Sequence, residues 1–405
     1  MIARRTLLAT AAAAALAGGA RADCAFDNPV EIKMLSAGFE AWKAVAAAAE
    51  ECGNFQAELD QEFRTKQPAA FAADPALYHV GGVANGTLVP LLNEGTIRPL
   101  DDLVAEYGQG LTENQLIRID GRIMAIAMMV NAQHLMYRRD VFEELGLEPP
   151  RTYSDMLGAA EAIREAGLME HPIGATMATG WNLGQDFVNL FLAHGGTFFA
   201  DDNTPMVNGE AGLAALETMK ALTDYMDPEF LVSDSTYVQK QFQQGEIAMA
   251  NLWASRAGAM NDPAESEVVG QVAFAGAPVA EDGGAAATTM WWDGFVIARN
   301  IPDDEAAAAF RVMMEALDEE MVSGANDAAV WLVPGYEVTD LAQGVIESLQ
   351  AGAPPYPASA QMGMMHTALG NNVADYLTGA KDAEATLTAI EAEYLTAARE
   401  AGLVQ

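Results

Sequence analysis

Short apolar runs of strand length alternate with longer amphipathic stretches in the first part of the chain. Residues 30–36 (VEIKMLS) predict a first strand, and residues 40–51 predict an alanine-rich helix. Apolar runs at 57–59 and 77–80 predict a second and a third strand. Strands that alternate with helices are typical of an α/β fold, in which a mostly parallel sheet is covered by helices.

The most continuous apolar run in this part of the chain is residues 122–130, RIMAIAMMV. A strand without polar alternation is buried on both faces, so this run predicts a strand at the centre of a sheet. A short helix is predicted ahead of it, at residues 88–92.

Residues 135–156 (LMYRRDVFEELGLEPPRTYSDM) predict two helix starts with a stop between them. Asp140 is the predicted N-cap of the first helix, and Gly146 supplies its left-handed exit. Two prolines then prevent that helix from continuing. Thr152 and Asp155 form a capping box that starts the second helix. Local chemistry alone indicates a connection between two helices inside an α/β protein.

The alternation of strands and helices continues to the end of the chain. Strands are predicted at 173–177, 271–275 and 295–298, and helices at 156–167, around the stripe 183–191, at 303–320, and on both sides of the proline-rich link 352–357. No internal repeat is present. A chain of 405 residues is long for one domain, so two lobes are the natural expectation.

The N-terminus has the pattern of an export signal. Residues 1–22 combine a basic start, an apolar run and the small-x-small ending Ala20-Arg21-Ala22, which predicts a secretory signal peptide cleaved after Ala22. The pair Arg4-Arg5 is compatible with twin-arginine export and with the general secretory route. No later apolar run approaches the length of a membrane span.

The chain is strongly acidic. Removal of the signal takes the basic residues from 21 to 18 against 57 acidic residues. A negative charge of this size argues against binding to nucleic acid or to anionic lipid. It says little about a small ligand, because most of these charges are expected on a solvated surface.

The two cysteines, Cys24 and Cys52, lie near the N-terminus of the exported chain. In an oxidising compartment a pair of this kind predicts a disulfide. The alternative is lipidation of Cys24, but Asp23 stands where such a signal needs a small apolar residue.

Several segments, in their order along the chain, resemble the family 1 extracellular solute-binding proteins, the broad family of the maltose-binding proteins. The segments are 95–102 (GTIRPLDD), 135–156, 195–219 (GGTFFADDNTPMVNGEAGLAALETM), 242–253 (FQQGEIAMANLW) and the ending ALGNNVADYLTGAKDAEATLTAIEAEY. In that family, residues like 135–156 carry the chain from the first lobe into the second.

The resemblance implies a type II periplasmic binding protein fold of two α/β lobes joined by hinge crossovers. The expected first lobe comprises residues 23–133 and 288–333, and the second comprises 134–287 and 334–405. The implied function is capture of a carbohydrate in the periplasm and its delivery to the transmembrane subunits of an ABC permease. A monomer is expected, with no cofactor.

A carbohydrate site needs aromatic rings for the flat C–H faces and polar side chains for the hydroxyls. Ligands of open α/β sheets bind beyond the carboxyl ends of the strands, where many of these residue types occur here. The predicted ligand-binding residues are Phe39, Glu40, Asn85, Trp181, Asn182, Asn251, Trp253, Arg256, Trp292 and Asp293. The family resemblance implies the stacking role of Trp253.

Each of these assignments has a structural alternative. Any of the tryptophans is also suited to core packing. This interpretation is favoured for Trp42 and Trp331, because each lies on or beside an apolar stripe. Asn85 is equally suited to a helix cap. Neighbouring side chains on a strand point to opposite faces, so only one of Trp291 and Trp292 is expected in the cleft.

The other classes of function are an enzyme and a purely structural or adhesin-like protein, and the alternation of strands and helices argues against the second. The sequence contains neither G-x-S-x-G nor H-E-x-x-H, and its five histidines lack metal-ligand spacing, so no metal is expected. The cluster 201–203 lacks the glutamate of a calcium loop and predicts a solvated turn. The abundant carboxylates leave a periplasmic carbohydrate-active enzyme open, and a polyol or sugar phosphate remains an alternative ligand.

Overall fold

The computed structural model describes residues 24, 26, 28–280 and 284–404. The predicted signal peptide and residues 281–283 lie outside the described residues. The strands are β1 (Ile32–Ser36), β2 (Phe55–Leu59), β3 (Val80–Ala84), β4 (Leu116–Ile119), β5 (Arg122–Asn131), β6 (Gln133–Arg138), β7 (Ile173–Gly174), β8 (Met249–Trp253), β9 (Val272–Ala275), β10 (Trp291–Ile297) and β11 (Val330–Trp331). The helices are α1 (Glu40–Glu50), α2 (Phe63–Ala72), α3 (Asn85–Asn93), α4 (Asp101–Tyr107), α5 (Arg139–Leu145), α6 (Tyr153–Glu165), α7 (Trp181–Ala193), α8 (Glu210–Thr223), α9 (Ser235–Gln243), α10 (Asp303–Ala316), α11 (Glu319–Gly324), α12 (Gln343–Gln350), α13 (Ala360–Leu377) and α14 (Ala383–Glu400).

The strands form two sheets. The first sheet has the order β11-β5-β10-β3-β1-β2, with β4 paired to β5, and the second has the order β7-β8-β6-β9. One large apolar core is built from residues between 32 and 129 and between 295 and 333, while another draws on residues between 135 and 398. The chain therefore passes from the first sheet to the second at Ala132, and returns with β10.

The two-sheet α/β fold is as predicted, but the sheets are mixed rather than mostly parallel. In the first sheet β1 pairs in parallel with β2 and β3, whereas β10 runs antiparallel between β3 and β5. In the second sheet β6 is antiparallel to both β8 and β9. The cause is that β10 enters the first sheet from the second, without the crossover helix that makes neighbouring strands parallel.

The predicted third strand is shifted along the chain. It begins at Val80 and runs through the two glycines to Ala84, instead of ending before them. A Cβ atom on Gly82 would lie 2.3 Å from Ser36 Cβ and 2.8 Å from a ring atom of Trp42. The glycines therefore allow this strand to pack closely against its neighbours, whereas the sequence pattern predicted that the strand ends before them.

The segment 135–156 starts as a strand and not as a helix. β6 runs to Arg138, which is the residue before α5, and Asp140 lies in the first turn of that helix, where it accepts hydrogen bonds from the Arg138 guanidinium at 2.8 and 2.6 Å. The prediction that Asp140 is the N-cap is wrong, because pairing of β6 with β8 and β9 extends the strand to Arg138. Gly146 does provide the left-handed exit, with a φ of 64°.

Two local predictions are confirmed. The capping box that starts α6 is present: the backbone N–H of Asp155 donates to Thr152 Oγ1, and Thr152 N–H donates back to Asp155 Oδ2, each at 3.0 Å. Cys24 and Cys52 form a disulfide across 28 residues. The bond ties the start of the described chain to the residues that follow α1.

Candidate functional site

A cleft of about 470 Å³ lies between the two sheets, at the ends of the strands and helices that border it. Arg64 and Asp293 line it from the side of the first sheet, and Trp181 and Trp253 line it from the side of the second. Its volume is in the range of sites for small ligands. The cleft is therefore the candidate functional site.

Three tryptophans form one aromatic cluster in the cleft: Trp181 at the start of α7, Trp253 at the end of β8 and Trp291 at the start of β10. The rings of Trp181 and Trp253 are stacked with centroids 6.3 Å apart. Trp291 meets both rings edge-on, at 5.7 Å from Trp181 and 5.9 Å from Trp253. Since all three line the cleft, this tryptophan cluster supplies rigid apolar surface for the flat face of a ligand.

Buried side chains behind the cluster fix its orientation. His366 bonds through Nε2 with the backbone oxygen of Trp181 at 2.8 Å, and through Nδ1 with the hydroxyl of Tyr356 at 2.8 Å. Tyr356 also lies against Trp291, with ring centroids 4.2 Å apart. Burial lowers the pKa of His366 to about 4, so the ring is neutral at pH 7 and serves as a hydrogen-bonding support.

The alternation of side chains along β10 determines which of Trp291 and Trp292 faces the cleft. Trp291 and Asp293 line it, while Trp292 lies on the opposite face and packs against the core of the first sheet. The prediction of Trp292 is therefore corrected to Trp291. Between Asp293 and Gly294 the register with β5 shifts by one residue. A bulge at this point bends the sheet beside the site, as bulges often do.

Arg64 and Asp293 carry opposite charges into the cleft. Asp293 is half-buried, and its burial raises the pKa of the carboxyl to about 7, although the charge of Arg64 acts in the opposite direction. Desolvation by the surrounding cleft walls lowers the pKa of the Arg64 guanidinium to about 10, while the side chain itself remains exposed to solvent in the cleft. Arg64 is therefore charged at neutral pH, and Asp293 titrates there.

Arg256 lies on the opposite wall, in the 3₁₀ turn that follows β8. Its Nη1 donates to Gln239 Oε1 at 2.9 Å, and burial lowers the pKa of its guanidinium against the raising effect of Asp234. Asp234 caps α9 by accepting two backbone N–H bonds, at 2.9 and 2.8 Å. Arg256 is thus held by a side chain of α9, and Asp234 by the backbone at the start of the same helix.

Six of the ten predicted residues meet in the cleft: Phe39, Trp181, Asn182, Trp253, Arg256 and Asp293. Glu40 lies outside this lining, since its side chain is 53% exposed and accepts a 2.6 Å bond from Lys43. Phe39, directly after the first strand and its short approach, lines the cleft, whereas the next residue begins α1 and is exposed.

Asn85 and Asn251 are buried away from the cleft lining, so both predictions are corrected. Asn85 donates to the backbone oxygen of Met290 at 3.4 Å and does not cap α3. Asn251 donates to the backbone oxygen of Ala287 at 3.2 Å, beside an internal cavity of about 20 Å³. It shares a strand face with Trp253 but lies two residues back from the end of β8, which places it under α7 rather than at the opening.

Several lining residues were not predicted from the sequence. The structure adds Gln61, Glu62, Phe63, Arg64, Thr65, Thr87, Asn131, Ser255 and Trp291, among others. Asn131 had a usable signal, since it ends the long apolar strand β5. It donates to Ser255 Oγ at 3.2 Å and so joins the ends of β5 and β8.

Within the part of the chain that the structure describes, no helix is long and apolar enough to cross a membrane. The same residues contain no group of three or more metal-ligating side chains. Trp42 and Trp331 are buried in the core of the first sheet, as their apolar surroundings indicated.

Several solved structures share this fold. A solute-binding protein from Agrobacterium radiobacter K84 in complex with ribitol has a TM-score of 0.80 and 21% identity, over 91% of this chain and 98% of that chain. One from Agrobacterium vitis S4 with bound D-mannitol has a TM-score of 0.78 and 19% identity, over 92% and 99%. Maltose-bound MalE3 of T. maritima has a TM-score of 0.76 and 19% identity, over 91% and 99%. At these identities the likeness establishes the fold alone.

A curated relative matches a shorter part of the sequence. An ABC transporter extracellular-binding protein of Pyrococcus horikoshii is 26% identical over 120 residues, which are 29% of this chain and 27% of that protein. The match thus spans about a quarter of the relative's length.

The family is established by a longer match. Residues 35–314 match the family described as bacterial extracellular solute-binding protein, and this segment includes strands β2 to β10 of the two sheets. The members of this family are binding proteins, as the resemblance in the sequence implied. The chain belongs to the family of bacterial extracellular solute-binding proteins.

Proposed function

We propose that this protein captures a carbohydrate or a polyol in the cleft and delivers it to the transmembrane subunits of an ABC permease. The observation that carries the proposal is the tryptophan cluster together with the polar side chains of both sheets in one cleft. Aromatic faces beside hydrogen-bonding groups match the chemistry of a polyhydroxy ligand. The bound sugars and polyols of proteins with the same fold agree with this ligand class.

Capture works by hinge closure in this proposal. The lobes are residues 23–133 with 288–333 and residues 134–287 with 334–405. Ligand contacts made by both lobes stabilise the closed arrangement relative to the open one, because only the closed arrangement provides both sets of contacts at once. The permease then recognises the closed monomer.

The proposed setting is the periplasm, after export and cleavage behind Ala22. The proposed role is binding without turnover. The family to which the chain belongs consists of binding proteins, which supports this role. A ligand that binds is therefore expected to be released unchanged.

A thermal-shift screen tests the ligand class. The panel contains sugars, polyols, sugar phosphates, amino acids, peptides and polyamines. A ligand at a hundred times its dissociation constant adds about 2.7 kcal/mol to the free energy of unfolding. Stabilisation by sugars or polyols supports the proposal, and stabilisation by amino acids, peptides or polyamines alone contradicts it. Chromatography of the stabilising sugar after incubation checks that it is returned unchanged. Sustained turnover in preparations free of contaminating enzymes would indicate that this protein is a hydrolase or lyase.

A further inference from the structure

Arg64 brings a guanidinium group into the cleft from the start of α2. The group lies 4.3 Å from the ring centroid of Trp181 and 5.0 Å from that of Phe63, so two aromatic rings hold it. Among the residues that the structure describes, none accepts a hydrogen bond from Arg64. An arginine carries five N–H donors in a planar fork. These donors are therefore available to a ligand.

Asp293 presents acceptors to the same space from β10. No side chain or backbone N–H within the described ranges donates to its carboxylate. Its electrostatic partner is Arg64, yet the two groups form neither a hydrogen bond nor an ion pair. A donor group and an acceptor group thus face the cleft without direct contact between them.

The remaining charges of the cleft are balanced locally. Arg256 donates to Gln239 and lies in the field of Asp234 and Glu40. Asp234 accepts two backbone N–H bonds at the start of α9. Glu62, at the rim, adds a negative charge that acts on Arg64. The cleft therefore has no net excess of positive charge to offer an anion.

We propose that Arg64 and Asp293 together select an uncharged ligand with adjacent hydroxyl groups, one of which accepts from the Arg64 guanidinium while the other donates to the Asp293 carboxylate. The inference rests on the proposed function and narrows it. A hydroxyl group both donates and accepts, so a pair of neighbouring hydroxyls satisfies both side chains without a change in net charge. The tryptophan cluster holds the C–H face of the same ligand.

Both anionic and cationic relatives of such a ligand are disfavoured. A uronate or sugar phosphate places its charge in the field of Asp293 and Glu62, and an amino sugar places its ammonium group near Arg64. A like-charge contact in a partly desolvated site costs several kcal/mol. Discrimination therefore comes from Arg64 and Asp293 jointly, and removal of one charge changes which competitor is rejected.

Isothermal titration with matched ligands at pH 8, above the raised pKa of Asp293, tests the inference. The probes are D-mannitol, D-glucose and maltose, each compared with its charged counterparts: D-mannonate, D-glucuronate and D-glucosamine, and maltobionate. We expect at least one neutral probe to bind at least about tenfold more tightly than its charged counterparts, as a like-charge contact predicts. A charged counterpart that binds as tightly or more tightly overturns the inference and leaves the proposed function standing. If none of these probes binds, a sugar or polyol found by the thermal-shift screen replaces them, and the absence of any such ligand overturns both the inference and the proposed function.

Two variants assign the effect to the residues. Asp293→Asn and Arg64→Gln should each weaken the neutral probe about tenfold or more, since hydrogen bonds to charged groups are among the stronger ones. Asp293→Asn should also reduce the preference for the neutral probe over the uronate. The matched control is Arg118→Gln, an exposed arginine on β4 that pairs with Glu113 at 3.1 Å, far along the sheet from the cleft lining. Unchanged affinity and selectivity in Asp293→Asn and Arg64→Gln would contradict the assignment.

Discussion

The indole Nε1 of Trp291 donates a 2.9 Å hydrogen bond to Thr289 Oγ1. Thr289 in turn accepts from Gln185 Nε2 at 2.9 Å and donates to Asn189 Oδ1 at 3.0 Å. Gln185 and Asn189 lie on α7, while Thr289 lies on the segment by which the chain returns to the first sheet. A tryptophan of the cleft is thereby joined through one hydroxyl to a helix of the second sheet.

Thr289→Val should lower both the stability of the protein and its affinity for a cleft ligand. The hydroxyl is fully buried, and its removal leaves Trp291 Nε1 without a partner and Gln185 Nε2 with only its bond to Asn189, which costs about 1–3 kcal/mol. Urea denaturation and isothermal titration measure the two effects.

The neighbouring Thr288 is a matched control. Its hydroxyl is also buried but has no hydrogen-bond partner among the described residues. Thr288→Val removes an unsatisfied polar group, so it should leave the free energy of unfolding unchanged or raise it. Equal losses in the two variants would show that the Thr289 bonds contribute nothing beyond side-chain packing.

Trp253→Ala should affect both binding and folding. The side chain lines the cleft yet is only 8% exposed, so it belongs to the site and to the core together. Loss of its ligand-facing surface should weaken binding by about 1–3 kcal/mol, and the cavity should cost about 3–5 kcal/mol of stability. Calorimetric titration and melting of the same variant measure both.

Trp292→Ala serves as the control for the cleft, because Trp292 packs on the opposite face of β10. This change should lower the melting temperature without changing the affinity of a cleft ligand. Intact affinity in Trp253→Ala, with a reduced melting temperature, would reject the role of Trp253 in binding.

Asp186 should make stability depend on pH in the opposite sense to an exposed, ion-paired carboxylate. Its Oδ1 accepts from Gln133 Nε2 at 3.1 Å and from Thr176 Oγ1 at 2.9 Å, but burial still raises its pKa from 3.8 to about 7. Between these two values the folded protein binds more protons than the unfolded chain. The contribution of Asp186 to stability is thus largest below the unfolded pKa, falls as the pH rises through this window and levels off above about 7.

Urea denaturation at pH 5 and pH 8 checks this sign. Asp186→Asn removes the titrating group and keeps its shape, so the loss of stability from pH 5 to pH 8 should be smaller in the variant than in the natural protein. An equal or larger loss in the variant would contradict the raised pKa.

The Cys24–Cys52 disulfide should stabilise the exported protein. Closure of a 28-residue separation contributes about 3–4 kcal/mol in the chain-entropy description. The double variant Cys24→Ala, Cys52→Ala should lower the free energy of unfolding by this amount. Mass spectrometry of the non-reduced mature chain should give a mass two hydrogens below the dithiol form, and two free thiols or a lipid on Cys24 would refute the bond.

Much of the architecture could be predicted because local chemistry determines it. The apolar run of β5, the capping box at Thr152 and the left-handed exit at Gly146 each depend on residues close together in the chain. The same holds for Trp253 and Asp293, since a short apolar run and a polar residue at its end are visible in the sequence.

Other features depend on partners that are distant in sequence. The buried stripe of α2 contains Gln67, whose amide donates to the backbone oxygens of Leu35 and Gly82, so the helix lacks a clear apolar pattern and Arg64 was missed with it. The choice of Trp291 over Trp292 follows from the pairing of Trp291 with Asn131, which only the assembled sheet determines.

A crystal structure of the complex with a sugar or polyol found by the thermal-shift screen tests the central claim most directly. We expect one ligand molecule between the sheets, with its C–H face against the tryptophan cluster and its hydroxyls within hydrogen-bond distance of Arg64 and Asp293. A ligand bound elsewhere on the protein, or one in the cleft that touches neither the cluster nor these two side chains, would contradict it.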